Sequence, residues 1–359
     1  MSQLKAFKVP ETRTAKKVMK IFIAGVGAVG STLLKQIAGF QPNGNQIRVI
    51  GVCNSKHMLW FDHSQQNYSL RSLLRGPASD WEEIIEKLSA YEKRSVVFVD
   101  TTGNQEVSDL YVRLLSKKIH VVTASKLANT RTQKEYDHLH KTARIKGVRF
   151  LFETNVGAGL PIIETIQNLL ITGDVIQEIS GVLSGTMTYL FSELDQGRSF
   201  SKAVIQARAL GYAEPDPRDD LSGEDVARKF MILARICGHR LEREDLEVES
   251  LIPEKLRDVD ATDFLENLHK YDTLWAEKVK EASEKGQRLR YTGKLADGKI
   301  TIGVESVPAD SSIGRLTGTN NLIQIKSSRY SDQNLVIQGP GAGKEVTAAG
   351  VLADILKIR

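Results

Sequence analysis

The segment "KIFIAGVGAVGSTLLKQIAGF" (residues 20–40) constrains the fold of this chain more than any other. An apolar run ends in the pattern G-x-G-x-x-G, at Gly25, Gly27 and Gly30, and a helix-period pattern starts at once. The first glycine permits a tight turn, the second lets a diphosphate approach the backbone, and the third lets the helix pack on the strand. The free N–H groups and partial positive charge at the helix start then face that diphosphate. Gly25, Val26, Gly27, Ala28, Val29 and Gly30 are therefore a candidate dinucleotide-binding loop, because the motif stands in the strand–turn–helix setting it requires. A tight turn with no ligand is the plainer reading of the same glycines.

The chain beyond the loop agrees with that setting. Apolar runs at 47–54, 95–100, 120–125 and 149–154 alternate with amphipathic patterns at 105–118 and 132–147. Strands alternating with helices predict an α/β, Rossmann-type, doubly wound parallel sheet. After "NVGAGLP" (155–161) the pattern changes to a helix, a strand at 175–185, helices to about 285, and strands at 288–296, 300–307, 321–328 and 334–338. This predicts an α+β domain with an antiparallel or mixed sheet. The expected organisation is a leader (1–17), a nucleotide-binding domain (18–155), a substrate and dimerisation domain (156–338), and a C-terminal helix (339–359).

Composition narrows the partners. The net charge of +5 is mild, aromatic content is 6%, and basic residues do not interleave with aromatic ones, which argues against nucleic-acid binding. No run of about 18 apolar residues is present to span a membrane. Cys53 and Cys237 offer neither a disulfide framework nor a metal-ligand spacing, so a reducing compartment such as the cytosol is expected. The basic leader, whose sole acid is Glu11, leaves an organellar address open. His57 and His63 read as loop residues, and His138 and His140 as solvated residues of a polar helix.

The second strand bears on cofactor type. An NAD-selective site carries Asp or Glu there for the ribose hydroxyls, but this strand runs into Asn54, Ser55 and Lys56. An amide, a hydroxyl and a cation suit a 2′-phosphate, which predicts NADP preference with NAD tolerated. Lys56 as an ordinary solvated lysine is the alternative.

The stretch "GYAEPDPRDDLSGEDVARKF" (211–230) holds six acids: Glu214, Asp216, Asp219, Asp220, Glu224 and Asp225. Lys229 follows Asp225 by four residues, so on a helix both share a face. An ordinary i,i+4 ion pair explains that spacing equally well. Ser222 to Asp225 also fits a helix capping box.

"SKLANT" (125–130), "ETNVGAGLP" (153–161), "SGVLSGTMTYLF" (180–191), the acidic stretch, and "GPGAGKEVTAAGVLADIL" (339–356) together resemble the homoserine dehydrogenase family, in the same order from about residue 18 onward. The wording is most similar to the dehydrogenase half of fused aspartokinase–homoserine dehydrogenases, here expected without the kinase. The resemblance implies NAD(P)-dependent interconversion of L-homoserine and L-aspartate 4-semialdehyde, on the route to threonine, methionine and isoleucine. It implies Lys229 as acid/base, with Lys126 and Asp225 beside it. Glu214, Asp220 and Asp225 become ligands of the substrate ammonium, with Asp219 orienting them. Thr101, Thr102, Lys126, Gly211 and Gly343 are implied near the cofactor. The side chain of Glu153 and the carbonyls of Val156, Ala158 and Leu160 are implied to hold a monovalent ion, usually sodium; without the resemblance that loop reads as a Gly-rich hinge. A homodimer is implied as well. The alternatives are a catalytically inactive dinucleotide sensor and another reductase of small amino-acid aldehydes. Cys53 is rejected as an aldehyde nucleophile because it lies on the adenosine side of the loop.

Overall fold

A computed structural model describes residues 18–39, 47–61 and 70–358. The leader (1–17) and His63 lie outside the described residues. Strands β1 (Met19–Ala24), β2 (Ile47–Cys53), β3 (Met58–Trp60), β4 (Val96–Asp100), β5 (His120–Thr123) and β6 (Phe150–Leu151) form one sheet in the order β3-β2-β1-β4-β5-β6. Every pairing is parallel except β2 with β3. β4 and β5 are buried along their whole length, as expected of strands covered on both faces. The strand order reverses between β1 and β4, so their C-terminal ends border the crevice where such sheets bind ligands.

The doubly wound sheet expected from the sequence is present, with two local differences. β3 is an antiparallel edge strand where the sequence shows only loop, because three residues carry no detectable period. It returns through a turn in which the Asn54 side-chain oxygen accepts the amides of Lys56 and His57, at 2.8 and 2.7 Å. The helix expected at 105–118 is two helices, Gln105–Asp109 and Tyr111–Ser116, broken at Leu110.

Strands β7 (Ile176–Val182), β8 (Leu246–Val248), β9 (Gln287–Ala296), β10 (Lys299–Pro308), β11 (Asn320–Ser327) and β12 (Leu335–Pro340) form the second sheet, in the order β12-β11-β7-β9-β10-β8. It is antiparallel except where β8 runs parallel to β10. The helix Glu224–Ile236 packs on it through Val226, Ala227, Phe230 and Leu233, all buried. Gly293 of β9 is where they touch: a Cβ there would stand 2.2 Å from the Phe230 ring. Burying such a phenylalanine contributes about 2–3 kcal/mol, and it anchors the helix that carries Asp225 and Lys229.

The C-terminal helix Lys344–Lys357 buries Ala348, Val351, Leu352 and Ile355 against Ile21, Ile23, Val97 and Val99 of the first sheet. Gln36 of the first helix, Ala28–Gly39, donates to the Glu345 carbonyl at 2.9 Å.

Candidate active site

The crevice is built from the ends of β1, β4 and β5. Gly25 has φ of 92°, a conformation costly for any residue with a Cβ. Gly30 lies against Gly25, where a Cβ would come within 2.0 Å of the Gly25 carbonyl oxygen and 2.7 Å of Thr101 Oγ1. Gly27, between them, has open space on its Cβ side. Thr101 Oγ1 donates to the Gly25 carbonyl at 2.7 Å and ties the end of β4 to the loop. Thr102 is held through its amide, which donates to Asp100 Oδ1 at 2.7 Å. Ser55 and Lys56 are exposed at the end of β2, and no acid stands there.

At the same sheet edge, two elements from different halves of the chain meet. Lys126 follows β5, and Asp225 and Lys229 lie in the first two turns of the helix Glu224–Ile236. Lys126 Nζ lies 3.1 Å from Asp225 Oδ1, and Lys229 Nζ lies 2.7 Å from Oδ2, so one carboxylate spans two ammonium groups. Lys229 Nζ also donates to the Leu183 carbonyl at 2.6 Å. With three N–H donors, the lysine keeps one for a ligand. Burial pushes the Lys229 ammonium below its ordinary range, with Asp225 opposing and Lys126 adding to the shift. Burial works against the ionised Asp225, but the two lysines outweigh it and hold its carboxyl below the usual carboxylate range.

The remaining acids have separate tasks. Asp220 accepts from Thr186 Oγ1 at 2.9 Å and from the Glu214 amide at 2.8 Å, so it shapes the loop that carries Glu214. Burial raises its carboxyl above the usual range. Glu214 and Asp219 are exposed at the rim, and Gly211, with φ of 71°, turns the chain into this loop. Asp216 holds Arg218, and Glu224 holds Arg243. The capping box expected from Ser222 to Asp225 is not formed. Gly223 is the N-cap, Ser222 Oγ accepts only weakly from the Glu224 amide (3.3 Å), and Asp225 turns to the lysines instead. Two full ammonium charges attract a carboxylate more strongly than one backbone amide.

Gly343, with φ of 130°, is the N-cap of the C-terminal helix. The loop before the helix Ile162–Ile171 places Glu153 inside the protein, where its carboxylate accepts the Ile163 and Glu164 amides at 2.8 Å each. Burial pushes Glu153 up to about 7, against those amides and Lys357. The Leu160 carbonyl accepts the Ile162 amide at 2.8 Å. Val156 and Ala158 are buried, and among the described residues no hydrogen bond ends on either carbonyl. Carbonyl oxygens left unpaired in the interior are acceptors of the kind a hard cation takes.

His140 departs from the sequence expectation. Rather than solvated, it lies against Tyr136, Phe150 and Phe152 and bonds Asn129 Oδ1 at 3.1 Å, and burial pushes its pKa down to about 4. Burial also pushes the Cys53 thiol up to about 12, which leaves no thiolate for nucleophilic work.

Three contributors escape sequence reasoning. The Leu183 carbonyl has no side-chain signature. Thr186, whose hydroxyl bridges Asp220 and the Tyr212 carbonyl, reads as an ordinary helix residue. Arg235 reads as a helix-end charge, yet its side chain is fully buried and donates to the carbonyls of Asn129 (2.9 Å), Arg131 (2.7 Å) and Leu241 (2.9 Å). It bolts the helix bearing Lys229 to the segment just after Lys126. Arg235→Lys is expected to destabilise the protein by about 2 kcal/mol, because one ammonium cannot serve the carbonyls that a guanidinium fork reaches. Chemical denaturation measures this, and an unchanged midpoint would remove Arg235 from that role.

Comparison with known proteins meets the same two halves. The family model described as "Homoserine dehydrogenase, NAD binding domain" matches residues 25–153, and "Homoserine dehydrogenase" matches residues 161–356. The chain is 38% identical over 349 residues to a bifunctional aspartokinase/homoserine dehydrogenase of Haemophilus influenzae, covering 95% of this chain and 43% of that protein. It spans about two fifths of the length of the curated relatives it matches. A Candida auris protein of unknown function has a crystal structure similar at a TM-score of 0.88 and 33% identity, covering 96% of this chain and 98% of that one. A hyperthermophilic archaeal homoserine dehydrogenase in complex with NADPH shares the fold at a TM-score of 0.73 and 24% identity, covering 95% and 97%. With both domains matched in order across a nucleotide crevice and a lysine–aspartate–lysine cluster, the chain belongs to the homoserine dehydrogenase family.

Proposed function

We propose that the protein interconverts L-homoserine and L-aspartate 4-semialdehyde with NADP as preferred cofactor and NAD tolerated. The observation that carries this reading is the Lys126–Asp225–Lys229 cluster, built after β5 at the same sheet edge as the glycine loop after β1. The loop from Gly25 to Gly30, with Ser55 and Lys56 at the end of β2, would hold a nicotinamide dinucleotide, which when bound would supply or take up the hydride. Lys229 does the proton work. As a neutral amine it takes the proton from the hydroxyl of homoserine, and as an ammonium it returns one to the alkoxide when the aldehyde is reduced. A buried lysine with a lowered pKa suits both tasks. Asp225, Glu214 and Asp220 receive the substrate ammonium, with Asp219 orienting them, and Asp220 also accepts the Glu214 amide. Lys126 neutralises the second oxygen of Asp225.

Glu153, Val156, Ala158 and Leu160 are assigned to a structural monovalent cation, supported by the unpaired carbonyls of that loop. Homodimeric assembly belongs to the same reading and rests on the family resemblance.

L-Homoserine and NADP⁺ at alkaline pH should give a homoserine-dependent rise in reduced-cofactor absorbance, with a lower KM for NADPH than for NADH in the reverse direction. No signal from the unaltered protein would reject the activity. A lower KM for NADH would reject only the cofactor preference.

A further inference from the structure

A buried chain of hydrogen bonds runs beneath the crevice from one wall to the other. Asp100, at the end of β4, is fully buried and accepts the Thr102 amide on Oδ1 (2.7 Å) and the Tyr111 hydroxyl on Oδ2. Burial holds the Tyr111 phenol well above its ordinary range, so its hydroxyl keeps its proton and donates it to Asp100 Oδ2. The Tyr111 oxygen can therefore accept from Thr123 Oγ1, 2.7 Å away. Thr123 Oγ1 in turn accepts the Ser125 amide at 2.9 Å. Every donor in the series finds an acceptor, running from Ser125 through Thr123 and Tyr111 to Asp100, with Thr102 entering from the far side. Residue 125 immediately precedes Lys126, and residue 102 immediately follows Thr101, which is bonded to the glycine loop.

We propose that Tyr111, together with Asp100 and Thr123, is a positioning residue that holds Lys126 in register with the Thr101–Thr102 turn across the crevice. The β4–β5 pairing stops at Asp100 and Thr123, and the backbone adds one further bond there, from the Ala124 amide to the Asp100 carbonyl at 2.9 Å. From that level onward the side-chain bridge carries the register. Both bridged turns carry residues assigned above to the cofactor or the reaction, Thr101 bonded to the glycine loop and Lys126 bonded to Asp225. Tyr111 is wholly buried with its ring against Phe150, so removing the hydroxyl leaves the packing intact. It also leaves a buried carboxylate short of one donor, a costly state in a low-dielectric interior.

The proposal rests on the reaction assigned above, and its test is a double-mutant cycle of Tyr111→Phe with Lys126→Ala, read on kcat for homoserine oxidation and separately on the NADPH dissociation constant. If Tyr111 acts through Lys126, Tyr111→Phe lowers kcat about tenfold in the unaltered protein, the scale of one charge-assisted hydrogen bond. In the Lys126→Ala background the same change then costs less than about twofold, since coupled residues are not additive. NADPH binding should show the same loss of additivity. Equal factors in both backgrounds overturn the proposal, because a purely structural role is blind to Lys126. If the unaltered protein oxidises no homoserine, the assigned reaction falls and the NADPH cycle alone decides the network. Should Tyr111→Phe fail to fold, Thr123→Val cuts the same chain one bond away and enters the same cycle.

Discussion

Replacing Lys229 by methionine is expected to lower kcat for homoserine oxidation by about 10²- to 10⁴-fold, the usual contribution of a positioned acid/base, while the dissociation constant for NADPH changes little. Methionine keeps most of the stem volume, so the packing of the helix Glu224–Ile236 survives and the loss is chemical. Nothing nearby replaces the amine. Lys126 is engaged on the opposite oxygen of Asp225, and Leu183 contributes only a carbonyl. Steady-state rates with NADP⁺ and fluorescence titration of NADPH separate the two effects. An undiminished kcat would falsify the proton-transfer role and leave the dehydrogenase reading standing.

Asp225→Asn is the second large effect, expected to reduce kcat/KM for homoserine by about a hundredfold and to move the pH profile. The substitution is isosteric, yet it removes the charge between two ammonium groups. Burial and the Lys126 charge both disfavour a protonated Lys229, and Asp225 is the main group opposing them, ahead of Asp220. With that opposition gone, only the lesser counterweight of Asp220 remains, so the Lys229 pKa falls further. In the proposed reaction homoserine oxidation uses the neutral amine, and its rising alkaline limb should therefore shift to lower pH in the variant. A limb that stays in place, or moves to higher pH, would separate that ionisation from Lys229. Stability gives an independent sign. A carboxyl held below its unfolded value contributes stabilisation that is present above pH about 4 and lost as pH falls through the folded value. The Asn variant should lack that part of the acid-side loss.

These effects depend on residues that the sequence reveals unequally. A spacing of four puts Lys229 and Asp225 on one face of a helix, but it is the family resemblance that separates them from an ordinary ion pair. The glycine loop is legible because each glycine answers a different local need within six residues. Lys126 can be placed at the sheet edge, where ligands gather, but nothing local shows that it meets Asp225, since the two are joined only by the packing of separate domains. Ser222 and its neighbours show the converse. A locally sound capping pattern is overridden because two lysines, one of them far earlier in the chain, compete for the same carboxylate. His140 reads as solvated because helix polarity averages over the faces of a helix, while burial depends on the one face that meets Phe150 and Phe152.

The alternation of strands and helices, the nucleotide loop, the lack of an acid after β2, and the motif order behind the family resemblance are all written in the order of the amino acids. They are short-range or ordered features, set by backbone geometry and side-chain period within a few residues. Other features came into being only with the tertiary fold: which oxygen each lysine takes, the carbonyl lent by Leu183, the bolt formed by Arg235, and the bridge of Tyr111 between two sheet ends. Each of those depends on desolvation and on which partner the fold brings to a buried donor or acceptor, which side-chain period alone does not specify.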